Sequence, residues 1–181
     1  MDLRLVKRTI VHSGRVFTTI VDDVVYPSGR TTIREVARHP GGALALALFP
    51  DNRILMIRQH RYPLDRFIFE LPAGKLEPGE PPLTCAQREL EEETGYTAAE
   101  WKKLGSVFTT PGFCDEELHI FLATGLSPSP RGRQPEEGEQ TMTVEIMEFH
   151  TALGMIRSGE INDAKTICGI LLGKDLLGIT N

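Results

Sequence analysis

The chain has 181 residues, of which 40% are hydrophobic and 25% are charged, and its formal net charge is -5. This length allows one domain with a small additional sheet but not two full domains, and the composition excludes a disordered chain. The acidic balance argues against a polynucleotide partner, because a phosphate backbone requires a basic surface.

The cysteines and the N-terminus both favour a cytoplasmic protein. Cys85, Cys114 and Cys168 form no CxxC pair, which is typical of reduced thiols rather than of a disulfide framework or a zinc site. The N-terminal residues carry charges where a signal peptide needs an apolar core, and no apolar run is long enough to span a membrane. We therefore expect no association with membranes.

Residues 1–40 are predicted to form an antiparallel β meander. Their apolar runs are separated by short turns, the clearest of which is Pro27-Ser28-Gly29. The runs are Leu3–Val11, Val16–Val25 and Thr31–Ala37. Residues 41–181 are expected to form the main domain.

The main domain begins with an apolar hairpin. Ala43–Phe49 and Ile54–Ile57 flank the turn Pro50-Asp51-Asn52, and their continuous hydrophobicity predicts two buried strands in the middle of a sheet. Phe67–Leu71 predicts a further strand. Pro72-Ala73-Gly74 is interpreted as the end of that strand and the start of a loop.

The C-terminal half alternates strands with helices. The predicted strands and helices are Gly105–Thr109, Leu118–Ala123 and Thr143–Phe149, then His150–Ser158 and Asp163–Leu177. The segment Ser127–Glu139, between the second and third of these strands, is rich in Pro, Gly and charge and has no periodicity. It is therefore predicted to be a long mobile loop.

An acidic helix is predicted from Pro82 to Thr94. Proline suits the first turn of a helix, and Gly95 can end it in the left-handed conformation. Each residue turns by about 100°, which groups the side chains on faces. The acidic face contains Glu89, Glu92 and Glu93, and the apolar stripe beside it contains Leu83, Ala86 and Leu90.

Two other charged residues of this helix have different expected roles. Glu91 lies about 200° from Glu89 and is expected to face solvent. Arg88 precedes Glu92 by one turn and can pair with it.

Three carboxylates beside the core are unfavourable unless something neutralises them. A hard divalent cation with oxygen ligands is the natural neutraliser, and the Gly-rich segment before the helix lets the backbone approach it. Such a site suits phosphoryl chemistry, in which the metal bridges phosphate oxygens and activates water. The alternative is that the acids are only the solvated face of an amphipathic helix.

The segment Gly74–Tyr96 resembles the Nudix box, Gx5Ex7REUxEExGU, where U is a bulky apolar residue. The residues in register are Gly74, Glu80, Arg88, Glu89, Leu90, Glu92, Glu93, Gly95 and Tyr96. Every fixed position matches, and only Tyr96 stands where an aliphatic residue is more common. The match favours the metal site over the solvated face.

The resemblance implies an α/β Nudix fold, with a mixed β-sheet sandwiched between α-helices. It also implies a Mg²⁺ or Mn²⁺ site that hydrolyses a nucleoside diphosphate linked to another group. Glu89 and Glu93 are then the main metal ligands, Glu92 assists, and Ala73 contributes its carbonyl oxygen. The implied structural positions are Gly74, Glu80, Arg88 and Gly95, with Arg88 and Glu80 holding the loop to the helix.

The flanking sequence resembles the ADP-ribose diphosphatase subgroup. Pro111 follows the box at the spacing that marks this subgroup, and Arg61 matches an arginine that binds a substrate phosphate. The implied substrate contacts are Arg61, Arg34, Glu35, Pro111, Gly112 and Glu116. The products would be AMP and ribose 5-phosphate, with water attacking the adenylyl phosphorus.

The same subgroup implies a catalytic base on the long loop and a homodimer. Glu136, Glu137 and Glu139 are the candidates for the base, and Glu139 is favoured because it is nearest the next strand. Glu92 is counted with Glu137 and Glu139 among the catalytic residues. In this subgroup the meander packs on, and often exchanges with, a partner subunit.

Two other functions stay open. The first is a nucleotide-sugar diphosphatase of the GDP-mannose type, which uses the same architecture and metal. The second is a nucleotide-sensing Nudix module that binds without cutting. Such modules commonly lose box glutamates, and this chain keeps them all.

Overall fold

The computed structural model describes residues 3–135 and 137–179. The chain divides into two compact units. One combines the segment that ends at Gly41 with Phe108–Glu117, and the other contains Gly42–Val107 and the segment that begins at Leu118. No helix within the described ranges is both long and apolar enough to cross a membrane.

The first unit contains the predicted antiparallel meander, which the structure confirms. Its strands are β1 (Arg4–Ser13), β2 (Thr18–Val25) and β3 (Thr31–Arg38), in the order β1-β2-β3. Every residue of β1 is exposed, although several are large and apolar. On β2, the buried Asp22 accepts two hydrogen bonds from Arg8, at 2.8 and 2.7 Å.

The second unit is built on a mixed seven-stranded sheet. Its strands are β4 (Gly42–Leu48), β5 (Arg53–Arg61), β6 (Arg66–Glu70), β7 (Ala73–Lys75), β8 (Tyr96–Phe108), β9 (Glu117–Pro128) and β10 (Thr143–Glu148). The order is β10-β5-β4-β9-β8, with β6 on β5 and β7 on β4. Strand β9 runs parallel to β4, and β5 runs antiparallel to it. The predicted hairpin therefore lies at the centre of the sheet.

Helices cover both faces of this sheet, as the sequence predicted. They are α1 (Pro82–Thr94), α2 (Phe149–Ser158) and α3 (Ala164–Leu177). Side chains alternate between the two faces of a strand. On one face of β4, Leu44 and Leu46 pack in one cluster with Phe149 of α2 and Ile170 of α3. The smaller Ala45 and Ala47 lie on the other face, in one cluster with Leu90 of α1. Burial of each of the two leucines contributes roughly 2 kcal/mol.

Two local predictions in this unit were wrong, and two predicted strands are present but were predicted too short. Ala73–Lys75 is a strand paired with β4 rather than the start of a loop. Strands β8 and β9 are each longer than their apolar runs, because strand pairing extends beyond the core. Leu83 is 38% exposed and so is not part of the buried stripe, whereas Cys85 is fully buried and packs in one cluster with Ala86.

Candidate active site

Helix α1 has the boundaries that the sequence predicted. Pro82 stands in its first turn, where the missing N–H costs nothing. Gly95 ends the helix with φ 77°, and its N–H donates to the carbonyl of Glu91 at 2.8 Å. This left-handed position favours glycine because it has no Cβ.

The helix presses Glu89 and Glu93 against strand β7. A Cβ on Gly74 would lie 1.7 Å from Oε1 of Glu89, so any other residue at position 74 would force this carboxylate to move. The next residue back, Ala73, donates its N–H to Oε2 of Glu93 at 2.9 Å. Both acids are thus held directly over the backbone of residues 73 and 74.

Burial makes these two acids difficult to ionise. Glu93 is 2% exposed, and burial, together with the charges of Glu89 and Glu139, raises its pKa well above the ordinary range. Burial likewise raises the pKa of Glu89 to about 7, where Glu92 and Glu139 add repulsion and Arg88 opposes it. A positive charge in addition to that of Arg88 would stabilise both carboxylates in their ionised form.

Arg88 connects the helix to the loop before it. Its guanidinium donates to Glu80 at 3.0 and 3.1 Å and to the Lys75 carbonyl at 3.2 Å. It also donates to Glu89 at 2.7 Å and to Glu92 at 3.1 Å. Glu80 in turn accepts from the N–H of Glu77, which closes the loop.

The donor set suits a hard divalent cation. The possible ligands are all oxygen atoms, which Mg²⁺ and Mn²⁺ prefer. They are the carboxylates of Glu89, Glu92 and Glu93 and the carbonyl of Ala73. Arg88 neutralises only part of the charge, because Glu93 accepts from a backbone N–H and from no cation among the described residues. Within those same residues, no three acidic, histidine or cysteine side chains are arranged to enclose a metal ion.

The segment after β9 is fastened to the C-terminal end of α1. The N–H of Ser129 donates to the Gly95 carbonyl at 2.7 Å, and that of Gln134 donates to the Glu92 carbonyl at 2.8 Å. Arg133 donates to the carbonyls of Glu93, at 2.7 Å, and Met142, at 3.0 Å. The predicted long loop thus begins later, after Pro128, and it supplies donors to the unpaired carbonyls of a helix end.

Glu91 does not face solvent as the helical wheel indicated. Its Oε1 accepts from Ser129 Oγ at 2.6 Å, and its side chain is only 22% exposed. The wheel correctly turned Glu91 away from Glu89, but the loop covers that face of the helix.

The candidate bases differ in their relation to the acidic face. Glu137 and Glu139 belong to a short 3-10 helix, Glu137–Glu139, in which Glu137 is exposed and Glu139 is half-buried. Only Glu139 of these two contributes to the raised pKa values of Glu89 and Glu93. Glu136 lies outside the described residues.

Arg61 belongs to an ion network that the sequence analysis did not single out. Its Nε and Nη2 donate to Glu70, each at 2.6 Å, and the Glu70 side chain is fully buried. Lys165 at the start of α3 also donates to Glu70, and to Asp163 at 2.9 Å. The available signal in the sequence was an acid, Glu70, directly after the apolar residues Phe67–Phe69 of strand β6.

The other predicted substrate residues lie in the first unit. Arg34 donates to the hydroxyl of Tyr26 at 2.5 Å, and Glu35 is exposed on the same strand. Pro111 and Gly112 are exposed in a turn. In the same unit, Glu116 accepts from Thr109 Oγ1 at 2.8 Å.

Comparison with known proteins identifies the family. The model of the NUDIX domain matches residues 38–168. An ADP-ribose pyrophosphatase of Bacillus subtilis (strain 168) is 43% identical over 172 residues, which cover 94% of this chain and 91% of that protein. The chain therefore belongs to the Nudix family, and it is a Nudix hydrolase.

Other relatives carry different names. A methanol dehydrogenase activator of Bacillus methanolicus is 42% identical over 92% of this chain and 90% of that protein. A GDP-mannose pyrophosphatase of Salmonella typhimurium (strain LT2) is 34% identical over 74% of this chain and 73% of its own length. The crystal structure of an ADP compounds hydrolase shares the fold, with a TM-score of 0.84, 18% identity and coverage of 98% of this chain and 95% of that chain.

Proposed function

We propose that this Nudix hydrolase cleaves the diphosphate of ADP-ribose, or of a related ADP-sugar, to AMP and ribose 5-phosphate in a metal-dependent reaction. The observation that carries the proposal is the pair of buried carboxylates, Glu89 and Glu93, set over the backbone of β7. Their burial and mutual repulsion make a divalent cation the expected third component.

The residues divide into three roles. Glu89, Glu93, Glu92 and the carbonyl of Ala73 would hold Mg²⁺ or Mn²⁺. When bound, the metal would neutralise phosphate charge and favour ionisation of a water molecule. Glu139 would accept the proton of that water, because it is half-buried and its charge acts on both main ligands. Arg61 would bind a phosphate group, for which a fixed guanidinium is suited.

The substrate class is supported by the relatives. The ADP-ribose pyrophosphatase of Bacillus subtilis matches this chain more closely and over more of its length than the GDP-mannose pyrophosphatase does. Hydrolysis of GDP-mannose is the second candidate, favoured by that relative. A nucleotide-sensing module without activity is disfavoured, because all the box glutamates are present.

We also propose a homodimer in which the N-terminal sheet meets a second copy of the chain. Strand β1 exposes Leu5, Val6, Ile10 and Val11, with exposed fractions between 48% and 66%. Apolar residues exposed along an edge strand are a liability unless another surface covers them.

A panel of nucleoside diphosphate substrates tests the proposed function. Purified protein is assayed with Mg²⁺ on ADP-ribose, ADP-glucose and GDP-mannose, and kcat/KM is measured for each by chromatography of the products. We expect ADP-ribose to have the highest kcat/KM. A higher value for GDP-mannose would replace the proposed substrate with the second candidate, and hydrolysis of none would favour the sensing module.

A further inference from the structure

The ion network around Glu70 is poorly explained by stability alone. Glu70 is fully buried and is contacted by two cations, Arg61 and Lys165. Buried ion pairs are costly to desolvate, and apolar residues of similar volume often give equal or greater stability. The network therefore calls for a role that an apolar cluster would not fill.

The geometry gives that role to the Arg61 guanidinium. Glu70 binds the edge formed by Nε and Nη2, which fixes both the plane and the rotation of the group. Nη1 has no hydrogen-bond partner among the described residues, and the Arg61 side chain is 39% exposed. One edge of the guanidinium is thus anchored inside the protein while the other remains available.

A second set of contacts holds the carboxylate of Glu70. Lys165 contacts the same Oε2 of Glu70 that accepts from Arg61. Lys165 is held by Asp163, which also caps α3 by accepting from the N–H of Thr166 at 3.0 Å. Lys165 and Asp163 thus connect the carboxylate of Glu70 to the N-terminal end of α3.

Arg61 is close enough to Glu93 for their two charges to interact. The charge of Glu93 contributes to the raised pKa of Arg61, after the hydrogen bonds and charge of Glu70. An anion bound near Glu93 and its proposed cation would therefore be within the influence of Arg61. A phosphate group, with several acceptor oxygens, matches the two N–H groups of Nη1.

We infer that Glu70 and Lys165 are positioning residues, which orient Arg61 so that its Nη1 edge binds a phosphate group of the diphosphate substrate. The inference rests on the proposed function, in that it concerns the diphosphate that all the candidate substrates share. A positioning role and a purely electrostatic role for Glu70 predict opposite changes in the affinity for an anion. Removing the negative charge of Glu70 would strengthen anion binding if only charge mattered, but it weakens binding if Glu70 orients Arg61.

Steady-state kinetics on Glu70→Gln, Lys165→Met and Lys165→Arg test the inference. Loss of one oriented, charge-assisted hydrogen bond is expected to raise KM for ADP-ribose by about tenfold in Glu70→Gln and Lys165→Met, with a smaller change in kcat. Lys165→Arg should recover most of the affinity. Glu160→Gln, at an exposed site of the same unit, is the matched charge control and should leave KM unchanged. An unchanged or lower KM in Glu70→Gln would overturn the inference.

A double-mutant cycle shows whether Glu70 acts through Arg61. In the Arg61→Met background, Glu70→Gln should add less than about twofold to KM, because the residue that it orients is gone. If the two substitutions raise KM independently, so that their separate factors multiply in the double variant, a positioning role is contradicted. A wild-type KM in Arg61→Met alone would contradict it as well. Thermal unfolding identifies variants that fail to fold, and if Glu70→Gln is one of them, the two Lys165 variants decide.

Failure of the proposed function and failure of this inference give different experimental results. Failure of the wild-type protein to hydrolyse ADP-ribose contradicts the proposed function, and the variants are then compared on whichever diphosphate the wild type cleaves. Calorimetric titration with inorganic pyrophosphate and Mg²⁺ provides a readout without turnover. Weaker pyrophosphate binding by Glu70→Gln, but not by Glu160→Gln, supports the inference, and equal binding by both overturns it.

Discussion

Glu89 and Glu93 are placed where carboxylates are unfavourable. Each lies against backbone, and the raised pKa values express the free energy that burial and repulsion add to the charged form. Strongly shifted values arise at functional sites because catalytic groups are held by the fold rather than by their own solvation. In physical terms, these two residues serve the proposed reaction at the expense of the stability of the fold.

The charge of these residues can be removed with little change in shape. Glu93→Gln and Glu89→Gln should each lower kcat at saturating Mg²⁺ by at least about a hundredfold, because a neutral amide is a poor ligand for a divalent cation. Without metal, both variants should unfold at the wild-type temperature or above it, because a neutral group costs less to bury. Assays and thermal unfolding measure the two effects.

Glu91→Gln is the control on the same helix. Its amide oxygen can still accept the hydrogen bond from Ser129, so turnover should change by less than about twofold. A loss of turnover equal to that of Glu93→Gln would mean that the metal ligands are assigned to the wrong face of α1.

At the scale of elements, α1 was predictable and the loop after β9 was not. The proline at the start of α1, the glycine at its end and the regular spacing of its apolar residues are local signals. The loop is fixed by the helix-end carbonyls that Arg133 and Gln134 reach, and such backbone partners leave no pattern in the sequence. Strand β7 was missed for a similar reason, because only its pairing with β4 defines it.

Arg133 is the testable part of this loop. It joins the end of α1 to Met142, on the far side of the segment that contains Glu139. Arg133→Met should therefore lower kcat by about tenfold, since the proposed base loses its position, while KM for ADP-ribose changes little. Arg131→Met is the control, because that side chain is 72% exposed. Equal effects of the two substitutions, or a change confined to KM, would refute the positioning of Glu139 by this loop.

At the scale of the whole molecule, the sequence predicted the class of fold and the box but not all of the site. The alternation of Leu44 to Ala47 places helices on both faces, and the box places acids at the edge of one of them. The Glu70 network escaped prediction because Lys165 is 95 residues from Glu70 in the chain, and the two meet only in the folded structure. The role of the N-terminal sheet stays a prediction.

The exposed strand β1 makes the proposed dimer testable. Val6→Glu and Ile10→Glu place charges on an apolar surface, so they should convert a dimer at micromolar concentration into a monomer, as measured by sedimentation. Ile146→Glu introduces the same charge at an exposed aliphatic residue of the other unit and should leave the dimer intact. A monomeric wild-type protein would refute the proposal.

The fate of oxygen-18, when the protein is incubated with ADP-ribose and Mg²⁺ in labelled water, tests the proposed diphosphate hydrolysis directly. Mass spectrometry should find AMP and ribose 5-phosphate in equal amounts, with the label in AMP, because in the proposed reaction water attacks the adenylyl phosphorus in line with the leaving phosphate. Label in ribose 5-phosphate would move the attack to the other phosphorus. Release of free adenine, or of inorganic phosphate without AMP, would contradict diphosphate hydrolysis itself.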